Sequence, residues 1–592
     1  MIVILCFLSP AVLLMVIRNR ILESRILQFK EKSLVSLICE YCLANLFLNL
    51  TAILITCVVF RHTGPVEEAM QQYTDFALHY LMLSIAIAII EPLVENMVRF
   101  HLSFNIKKLE ISIQKDWLLY GYAFILFVLN FIRIFDNTFW GDEGFTIRLA
   151  KMSVKQMTET TAGDVHPPLY YLFARLLYRI FGNFGWVYHL SALIPYTIII
   201  ILACTIIKKQ FNTITAIVLI TMSSIMKGAV IYNVEVRMYA LAAMFVFIAY
   251  IELYKIINRN KIIDWIIFCI ASLGAAYTHY YALISVAFLY LMLLFMIRKN
   301  KRNLKRVIGS YVITVLGYAP WLMVLVNSFL KTSSDWWLGN IPTINECMLF
   351  VWDYKWVELV FAICVFMFIL YQENIICIEK TNRVRMFDRI NVIVNLSQNV
   401  HMTDDVVWIV LGLVSLCGTM AVGVGLSYIL RPIFITRYLF PTSAMMYLVF
   451  GYCISKMKLR KIWALGVLLL LLGSNIPTYF NVYKEDNMLN KESIAFLSAV
   501  IPSDEAVIYT NNVHLGWTLL EYYYPNNQGE YISNIFESLT SKYDEIWVIW
   551  TYELEENTQI EISKKGYKVE KVYTGYLGFD EYDYVYKIKK VF

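Results

Sequence analysis

Charged residues are scarce in this chain of 592 residues: Asp, Glu, Lys and Arg make up 16% of it, and hydrophobic residues make up 59%. Soluble globular proteins carry about 25% charged residues, so this composition excludes that class. Cysteine is absent after residue 478, which excludes a disulfide-stapled C-terminal domain. The same C-terminal segment has no phosphate-binding glycine loop and no metal-ligand spacing, and no nucleic-acid-binding module is visible anywhere in the chain.

The apolar residues are grouped in windows of about 20, each long enough to cross about 30 Å of hydrocarbon. The sequence therefore predicts an α-helical polytopic membrane protein with about fourteen spans. These lie near 1–17, 34–60, 76–97, 116–135, 187–207, 213–232, 238–257, 263–278, 280–297, 307–328, 354–372, 406–429, 438–454 and 462–478.

Lys and Arg are concentrated in alternate loops, and cytoplasmic loops are the ones that carry an excess of these residues. With fourteen spans and an external N-terminus, every such loop lies on the cytoplasmic side, and the loops 136–167, 329–353 and 430–437 face outward. We expect a multi-pass protein of the cytoplasmic membrane. The low Arg-to-Lys ratio and the richness in Ile, Asn, Tyr and Lys indicate an AT-rich genome, which suits a bacterial source. The basic loops are 18–32, 99–115, 208–210, 258–261, 298–306, 380–389 and 456–461.

The composition changes after residue 478, because segment 479–592 has ten Lys, no Arg and eighteen Asp and Glu. Strand-like runs alternate there with two helical segments, near 490–501 and 531–541, which predicts a small extracytoplasmic α/β domain that covers or shapes a site. We therefore expect three parts: N-terminal extra spans in 1–115, a membrane core in 116–478 with a first outer loop 136–186, and the domain 479–592. The strand-like runs are 505–510, 544–553, 567–575 and 581–590.

Two adjacent carboxylates, Asp142 and Glu143, stand where the fourth span ends, in the stretch FWGDEGFTIRLAKM. Phe145, Leu149 and Met152 follow at helical spacing, so this stretch is predicted to be an amphipathic helix on the membrane surface. Capping of the helix N-terminus would explain one of the two carboxylates. Capping does not account for the second carboxylate, for which a functional role is the alternative interpretation.

Further polar residues are predicted at the same outer face. The stretch DVHPPLYY places Asp164 and His166 before a Pro-Pro pair that suits the start of a second surface helix over 169–182. Outer loops have few cations, so arginines at three outer helix ends are informative. Together with the acidic and histidine side chains, they indicate a pocket for an anionic lipid headgroup. The outer-end residues are Glu235, Arg237, His279, Arg431 and Arg437.

The order of these motifs, W-x-D-E, HPPLYY, E-x-R-x-Y and a late RYLFP, resembles the glycosyltransferase C superfold, in particular bacterial members of the protein O-mannosyltransferase-like family 39 and the related aminoarabinose transferases. The resemblance covers about 116–455 and, more loosely, the last span and the tail. It implies an eleven-span core preceded by three additional spans. It also implies a membrane glycosyltransferase, a hexosyl or pentosyl transferase that takes a sugar from a polyprenyl-phosphate donor at the outer face, usually with inversion.

The resemblance implies catalytic roles for the two carboxylates and phosphate-binding roles for the arginines. Asp142 would be the general base or would orient the acceptor. Side chains of adjacent residues point apart, so Glu143 would position the loop or bind the acceptor. Arg237 and Arg437 would clamp the donor phosphate as rigid forks, with Arg431 as a weaker third candidate.

Other residues of the predicted outer face would contact the substrate. We expect no required cofactor, although His166, His279 and Asp164 could hold a divalent ion, since such side chains are zinc ligands. The expected partners are a polyprenyl-phosphate sugar, membrane lipid, and a glycan, lipid or protein acceptor, without nucleic acid. The candidate substrate-binding residues are His166, Glu235, Tyr239, Tyr170 and His279.

Two alternatives remain open at this level. A transporter or flippase of a lipid-linked or anionic solute would more often place ionisable residues at mid-membrane and show two repeated halves. A catalytically inactive sensor of sugar lipids would use the acidic tail as its partner domain, and the presence of Asp142 argues against it.

Overall fold

The structure is a computed structural model that describes residues 116–135, 139–164, 166–299, 303–334, 339–372, 376–380, 390–394, 403–457, 460–501, 506–512, 516, 519–540, 542–576 and 582–591. The chain forms two compact units, Met1–Trp117 and Leu118–Phe592, and almost all of the described residues belong to the second. The three predicted N-terminal spans lie outside the described residues.

Helices dominate the described part of the chain, and each of the eleven spans predicted from residue 116 onward contains a helix. Seven of these helices are long and apolar enough to cross a membrane. The helices are α1 Trp117–Phe131, α2 Gly141–Lys151, α3 Val154–Gly163, α4 Leu169–Phe181, α5 Gly185–Leu202, α6 Thr213–Ile225, α7 Lys227–Tyr232, α8 Tyr239–Asn258, α9 Ile262–Thr278, α10 Tyr280–Lys299, α11 Leu304–Ser334, α12 Ile344–Trp352, α13 Lys355–Gln372, α14 Asp404–Ile429, α15 Phe440–Lys456, α16 Arg460–Val500, α17 Ile535–Ser538 and α18 Glu556–Lys564.

The centre of the bundle is α15, whose residues are almost all buried, whereas α11 exposes most of its apolar side chains. Helix α15 packs against α6, α8, α13, α14 and α16. Its approach to α6 depends on Gly451, since a Cβ atom there would lie 2.9 Å from the Thr215 carbonyl oxygen. An exposed apolar surface such as that of α11 suits contact with lipid. The described residues therefore form a multi-pass membrane protein.

The C-terminal segment contains a four-stranded sheet, in which the strands follow the order Ile508–Thr510, Glu545–Trp550, Tyr582–Lys590 and Tyr567–Tyr576. The first two strands in this order are parallel, and the other two neighbouring pairs are antiparallel. The four strands predicted from the sequence are confirmed, while the segment predicted to be helical over 531–541 is helical only at Ile535–Ser538. The strands are β1 Ile376–Lys380 and β2 Ile390–Val394, which form a separate hairpin, and β3 Ile508–Thr510, β4 Glu545–Trp550, β5 Tyr567–Tyr576 and β6 Tyr582–Lys590.

The last span and the C-terminal segment share one helix, because α16 runs from Arg460 to Val500 across the expected boundary at 478 and 479. The division into 1–115, 116–478 and 479–592 stays a prediction.

Several helix breaks lie together at one end of the bundle and position the candidate site. They are the start of α2, the turn between α7 and α8, the break between α9 and α10 at His279, and the turn Thr436–Leu439 that leads into α15. Contacts between these breaks bring together residues that are hundreds of positions apart in the chain.

Candidate active site

Two arginines from distant parts of the chain converge on Asp142, which lies in the first turn of α2. Atom Oδ2 of Asp142 lies 3.6 Å from Nη2 of Arg237 and 3.7 Å from Nη2 of Arg437. Arg237 also donates a hydrogen bond from Nη1 to the Asp142 carbonyl oxygen at 3.1 Å. Arg237 is only 3% exposed, so its charge needs an anionic partner inside the protein. The structure thus joins three of the predicted site residues in one cluster.

Glu143 fixes this cluster by holding two backbone groups at once. Its Oε2 accepts the backbone N–H of Trp140 at 3.2 Å, which caps α2, and its Oε1 accepts the backbone N–H of Val236 at 2.7 Å. The hydroxyl of Thr146 donates to the Val236 carbonyl oxygen at 3.0 Å. Both backbone groups of Val236 are therefore bonded to α2, and Arg237 follows directly in the chain.

Glu235, the residue before Val236, is bonded to the side chain of Trp140. The indole Nε1 of Trp140 donates to Oε1 of Glu235 at 3.1 Å. The guanidinium carbon of Arg437 lies 5.7 Å from the Trp140 ring centroid and 5.9 Å from that of Tyr239, within the range of cation–π attraction. Burial raises the pKa of Glu235 to about 7, and the positive charges of Arg437 and Arg237 oppose this rise.

The two predicted histidines lie beside this cluster. The Nδ1 atom of His166 lies 3.0 Å from Oδ2 of Asp164. The ring of His166 lies 6.1 Å from that of His279, which is buried 5.6 Å from the Tyr239 ring and 5.1 Å from the Tyr438 ring. Among the described residues, no group of three or more His, Cys, Asp or Glu side chains comes together to hold a metal ion.

Tyr170 and Arg431 have no contact with Asp142 among those found in the described residues. Tyr170 is fully buried, and its hydroxyl lies 2.8 Å from the hydroxyl of Ser191. Arg431 follows α14 and is half-buried. Their roles in substrate binding stay predictions, as do the roles of the other candidate residues.

Several buried polar atoms around Asp142 have no hydrogen-bond partner within the described part of the chain. Unpaired buried donors and acceptors cost about 1–3 kcal/mol each, so a cluster of them favours binding of a polar ligand. Three of the four are donors or can donate, which suits an anion. The atoms are Nε of Arg237, Nε of Arg437, the hydroxyl of Tyr171 and Oε2 of Glu235.

Sequence reasoning missed three structural contributors. Trp140 is part of the W-x-D-E motif, and its position beside Asp142 and Glu143 was a usable signal. Thr146 gives no signal, because its bond to Val236 depends on packing between distant segments. Segment Leu519–Tyr523 of the C-terminal domain gives none either, yet the Tyr522 ring lies 4.8 Å from the Phe139 ring.

The helix predicted on the membrane surface after Trp140 is confirmed as a helix, but most of its residues are buried. The exposed residue of α2 is Arg148, and the helix packs on α4 and on segment Leu519–Tyr523. Its amphipathic pattern reflects contact with protein on several sides. The second predicted surface helix begins after Pro168, as expected from the Pro-Pro pair.

Comparisons with known proteins agree with the sequence resemblance. Residues 165–326 match the family model of dolichyl-phosphate-mannose-protein mannosyltransferases. This range includes Arg237 and His279, while Asp142, Glu143 and Arg437 lie outside it. A search of curated proteins finds no match.

Two solved structures are similar to the chain. One is ArnT from Cupriavidus metallidurans in the apo state, with a TM-score of 0.50 and 10% identity over 80% of this chain and 98% of that chain. The other is the same protein bound to undecaprenyl phosphate, with a TM-score of 0.48, 11% identity and the same coverage. The apo structure and the helical bundle of this chain confirm the predicted glycosyltransferase C fold, with its small C-terminal sheet.

Proposed function

We propose that this chain is a membrane glycosyltransferase that moves a sugar from a polyprenyl-phosphate donor to an acceptor at the outer face of the cytoplasmic membrane. The observation that carries the proposal is the carboxylate of Asp142 between two arginines, at one end of a bundle with the glycosyltransferase C fold. Fold alone does not define an activity, so the residues of the site carry the chemical argument.

The donor class is supported by the charge and bonding of the site. Transfer from a polyprenyl phosphate releases a phosphate anion, which needs fixed positive charge as it forms. Arg237 and Arg437 supply two guanidinium groups, each with a buried Nε donor that has no partner among the described residues. The matched family model describes enzymes that use a lipid phosphate sugar, which is consistent with this class.

The reaction is a single displacement at the anomeric carbon. The acceptor oxygen or nitrogen forms a bond to this carbon, and its proton passes to the carboxylate of Asp142. The bond from the anomeric carbon to the phosphate oxygen breaks, and the electron pair leaves with the phosphate. One displacement inverts the anomeric configuration.

The arginines link donor binding to the activity of the base. Both guanidinium groups lie against Asp142, and their positive charges stabilise its carboxylate. A donor phosphate competes for the same guanidinium groups and draws their charge away from the carboxylate. Donor binding therefore leaves the Asp142 carboxylate available to the acceptor proton.

The neighbouring residues shape the site. Glu143 positions the turn that carries Arg237, through its bond to Val236, and takes no proton in the reaction. Tyr239, His166 and His279 line the side next to Arg437 and suit contacts with the donor sugar. Glu235 supports Trp140, and we assign it to substrate binding through its second oxygen.

The outward orientation rests on the distribution of Lys and Arg. It places Asp142 and the C-terminal sheet outside the cytoplasmic membrane. The end of α15 then faces the cytoplasm.

The test is transfer of labelled sugar by purified full-length protein from a panel of polyprenyl-phosphate sugars to a crude envelope acceptor. Wild type should transfer, and Asp142→Asn should lose at least about a hundredfold in rate, because general bases contribute about 10²- to 10⁴-fold. Donor binding should be retained by Asp142→Asn, since the arginines remain. Thermal melting checks that the variant is folded.

Other outcomes would contradict the proposal. Donor binding by wild type with no transfer to any acceptor favours the inactive sensor. Vesicle uptake of solute without a new glycoside favours a transporter. Equal transfer by wild type and Asp142→Asn would keep the enzyme class and remove Asp142 as its base.

A further inference from the structure

Segment Leu519–Tyr523 of the C-terminal domain contacts the last turn of α2, the helix that carries Asp142. The Nζ atom of Lys151 lies 3.6 Å from Oε2 of Glu521 and also donates to the Glu521 carbonyl oxygen. Nε of Arg148 lies 4.0 Å from Oε1 of the same glutamate. Glu521 therefore meets both cations of the α2 C-terminus, the end where the helix dipole is negative and cations are favoured.

The same segment also contacts the residues that precede α2. The Tyr522 ring lies 4.8 Å from the ring of Phe139 and 6.4 Å from that of Tyr188, both edge to face. The backbone N–H of Phe139 donates to the Tyr523 hydroxyl at 3.4 Å. Three consecutive residues of the C-terminal domain, Glu521, Tyr522 and Tyr523, thus contact the chain on both sides of Asp142.

The ion pair is partly shielded from solvent, because the side chains of Lys151 and Glu521 are 21% and 31% exposed. Burial lowers the pKa of Lys151, and the charge of Glu521 opposes this change. Removing Glu521 would leave a half-buried ammonium group without its carboxylate, which costs more than loss of an exposed pair.

We propose that Glu521 is a positioning residue. Through it, the C-terminal domain holds α2, and hence Asp142, in place beside Arg237 and Arg437. The inference rests on the proposed transfer reaction. It gives the C-terminal domain a part in catalysis without contact to the substrate. A displacement of α2 by about 1 Å would be enough to lower the rate by as much as about a hundredfold.

The test uses full-length protein with Glu521→Gln, Lys151→Met, the double variant, and Lys151→Arg. The single variants should lower kcat about tenfold because Asp142 is displaced from the reacting atoms, while the KM for the donor changes by less than about twofold because both guanidinium groups remain in the site. Lys151→Arg keeps the charge and should retain most of the rate. The double variant should lose less than the product of the two single losses, since both substitutions remove the Lys151–Glu521 ion pair.

The matched control is Glu553→Gln in the same domain, where Glu553 pairs with Lys571 at an exposed site. It should leave kcat unchanged. A Glu521→Gln variant with the same kcat as this control, or a double variant whose losses multiply, would overturn the proposal.

Hydrogen exchange of the α2 amides provides a measurement that needs no activity. Glu521→Gln should speed exchange in 144–151, and Glu553→Gln should not. Faster exchange with no transfer by wild type would remove the proposed function and keep the contact between the domain and α2. Unchanged exchange would remove the positioning role even if wild type transfers sugar.

Discussion

Helix α15 has a carboxylate, a cation and aromatic rings at each of its ends, but the two groups differ in how their polar atoms are bonded. At the site end, Asp142 lies 3.7 Å from Arg437, whose guanidinium faces Trp140 and Tyr239. At the opposite end, Asp405 lies 3.9 Å from Lys456, whose ammonium group lies 5.0 Å from the Tyr452 ring.

In the group at the opposite end, the polar atoms have partners or reach solvent. The Tyr452 hydroxyl donates to Asp405 at 2.6 Å, and the Lys456 side chain is 41% exposed to solvent. The site group is deeper, and Nε of Arg437 and Nε of Arg237 have no partner among the described residues. The same residue types therefore stabilise a helix end in one place and leave donors for an anion in the other. Unused donors, rather than the presence of charges, mark the candidate site.

Among the substitutions that test this comparison, exchanging arginine and lysine at the two ends should have the largest effect. Arg437→Lys keeps the charge and removes the planar fork, and we expect kcat/KM to fall by about ten- to a hundredfold, the range of a lost hydrogen bond to a charged group. Lys456→Arg should leave kcat/KM unchanged. Steady-state kinetics with varied donor distinguishes the two variants. Equal losses of kcat/KM would show that the two ends of α15 do not differ in function.

A smaller effect is expected from Glu143→Gln, because an amide can accept from Trp140 or Val236 with one oxygen only. The unmet backbone N–H should cost about 1–3 kcal/mol, seen as a lower melting temperature, and transfer should slow about tenfold. Glu346→Gln is the matched control, since Glu346 caps α12 by the same pattern at an exposed position and has no bond to a second segment among the described residues. A loss of rate in Glu346→Gln as large as in Glu143→Gln would show that the bond from Glu143 to Val236 has no special part in the reaction.

The pH dependence of stability should sharpen the comparison further. Burial raises the pKa of Glu235 to about 7, above its value in the unfolded chain. Its protonated form is therefore favoured in the folded state, and this stabilisation is complete below about pH 4.5 and is lost as the pH rises towards 7. The melting temperature of wild type should fall across this window relative to Glu235→Gln. Parallel curves for the two proteins would show that Glu235 titrates normally.

The smallest effect is expected at the far end. Asp405→Asn retains an acceptor for the Tyr452 hydroxyl and weakens only a partly exposed ion pair, so transfer should stay within about twofold of wild type. A loss comparable to that of Arg437→Lys would mean that the group of Asp405, Lys456 and Tyr452 also takes part in function.

The sequence was sufficient for the helices of the membrane core, since long apolar runs leave few other structures in a bilayer. It was also sufficient for the four strands of the C-terminal sheet and for the proximity of Asp142, Arg237 and Arg437, which alternation of loops places on one face. It could not predict that Glu143 holds Val236, because this bond depends on how the turn before α8 packs on α2.

The contact of segment Leu519–Tyr523 with α2 was likewise beyond the sequence. The stretch LLEYY has one charge among apolar residues and could belong to any buried element. Only the packed structure shows that Glu521 meets Lys151 and Arg148. The predicted helix over 490–501 was found, but as the continuation of α16 rather than as a separate element.

The continuity of α16 has a geometric consequence. A helix of 41 residues is about 60 Å long along its path, twice the thickness of the hydrocarbon layer, so the last span continues as a helix towards the sheet. Each residue of that helix rotates the downstream chain by about 100°. One residue inserted near Val482 would therefore swing Glu521 about a quarter of a turn away from Lys151, whereas a whole added turn would restore its direction and change only its height. The length of this span is thus fixed by angle as well as by membrane thickness.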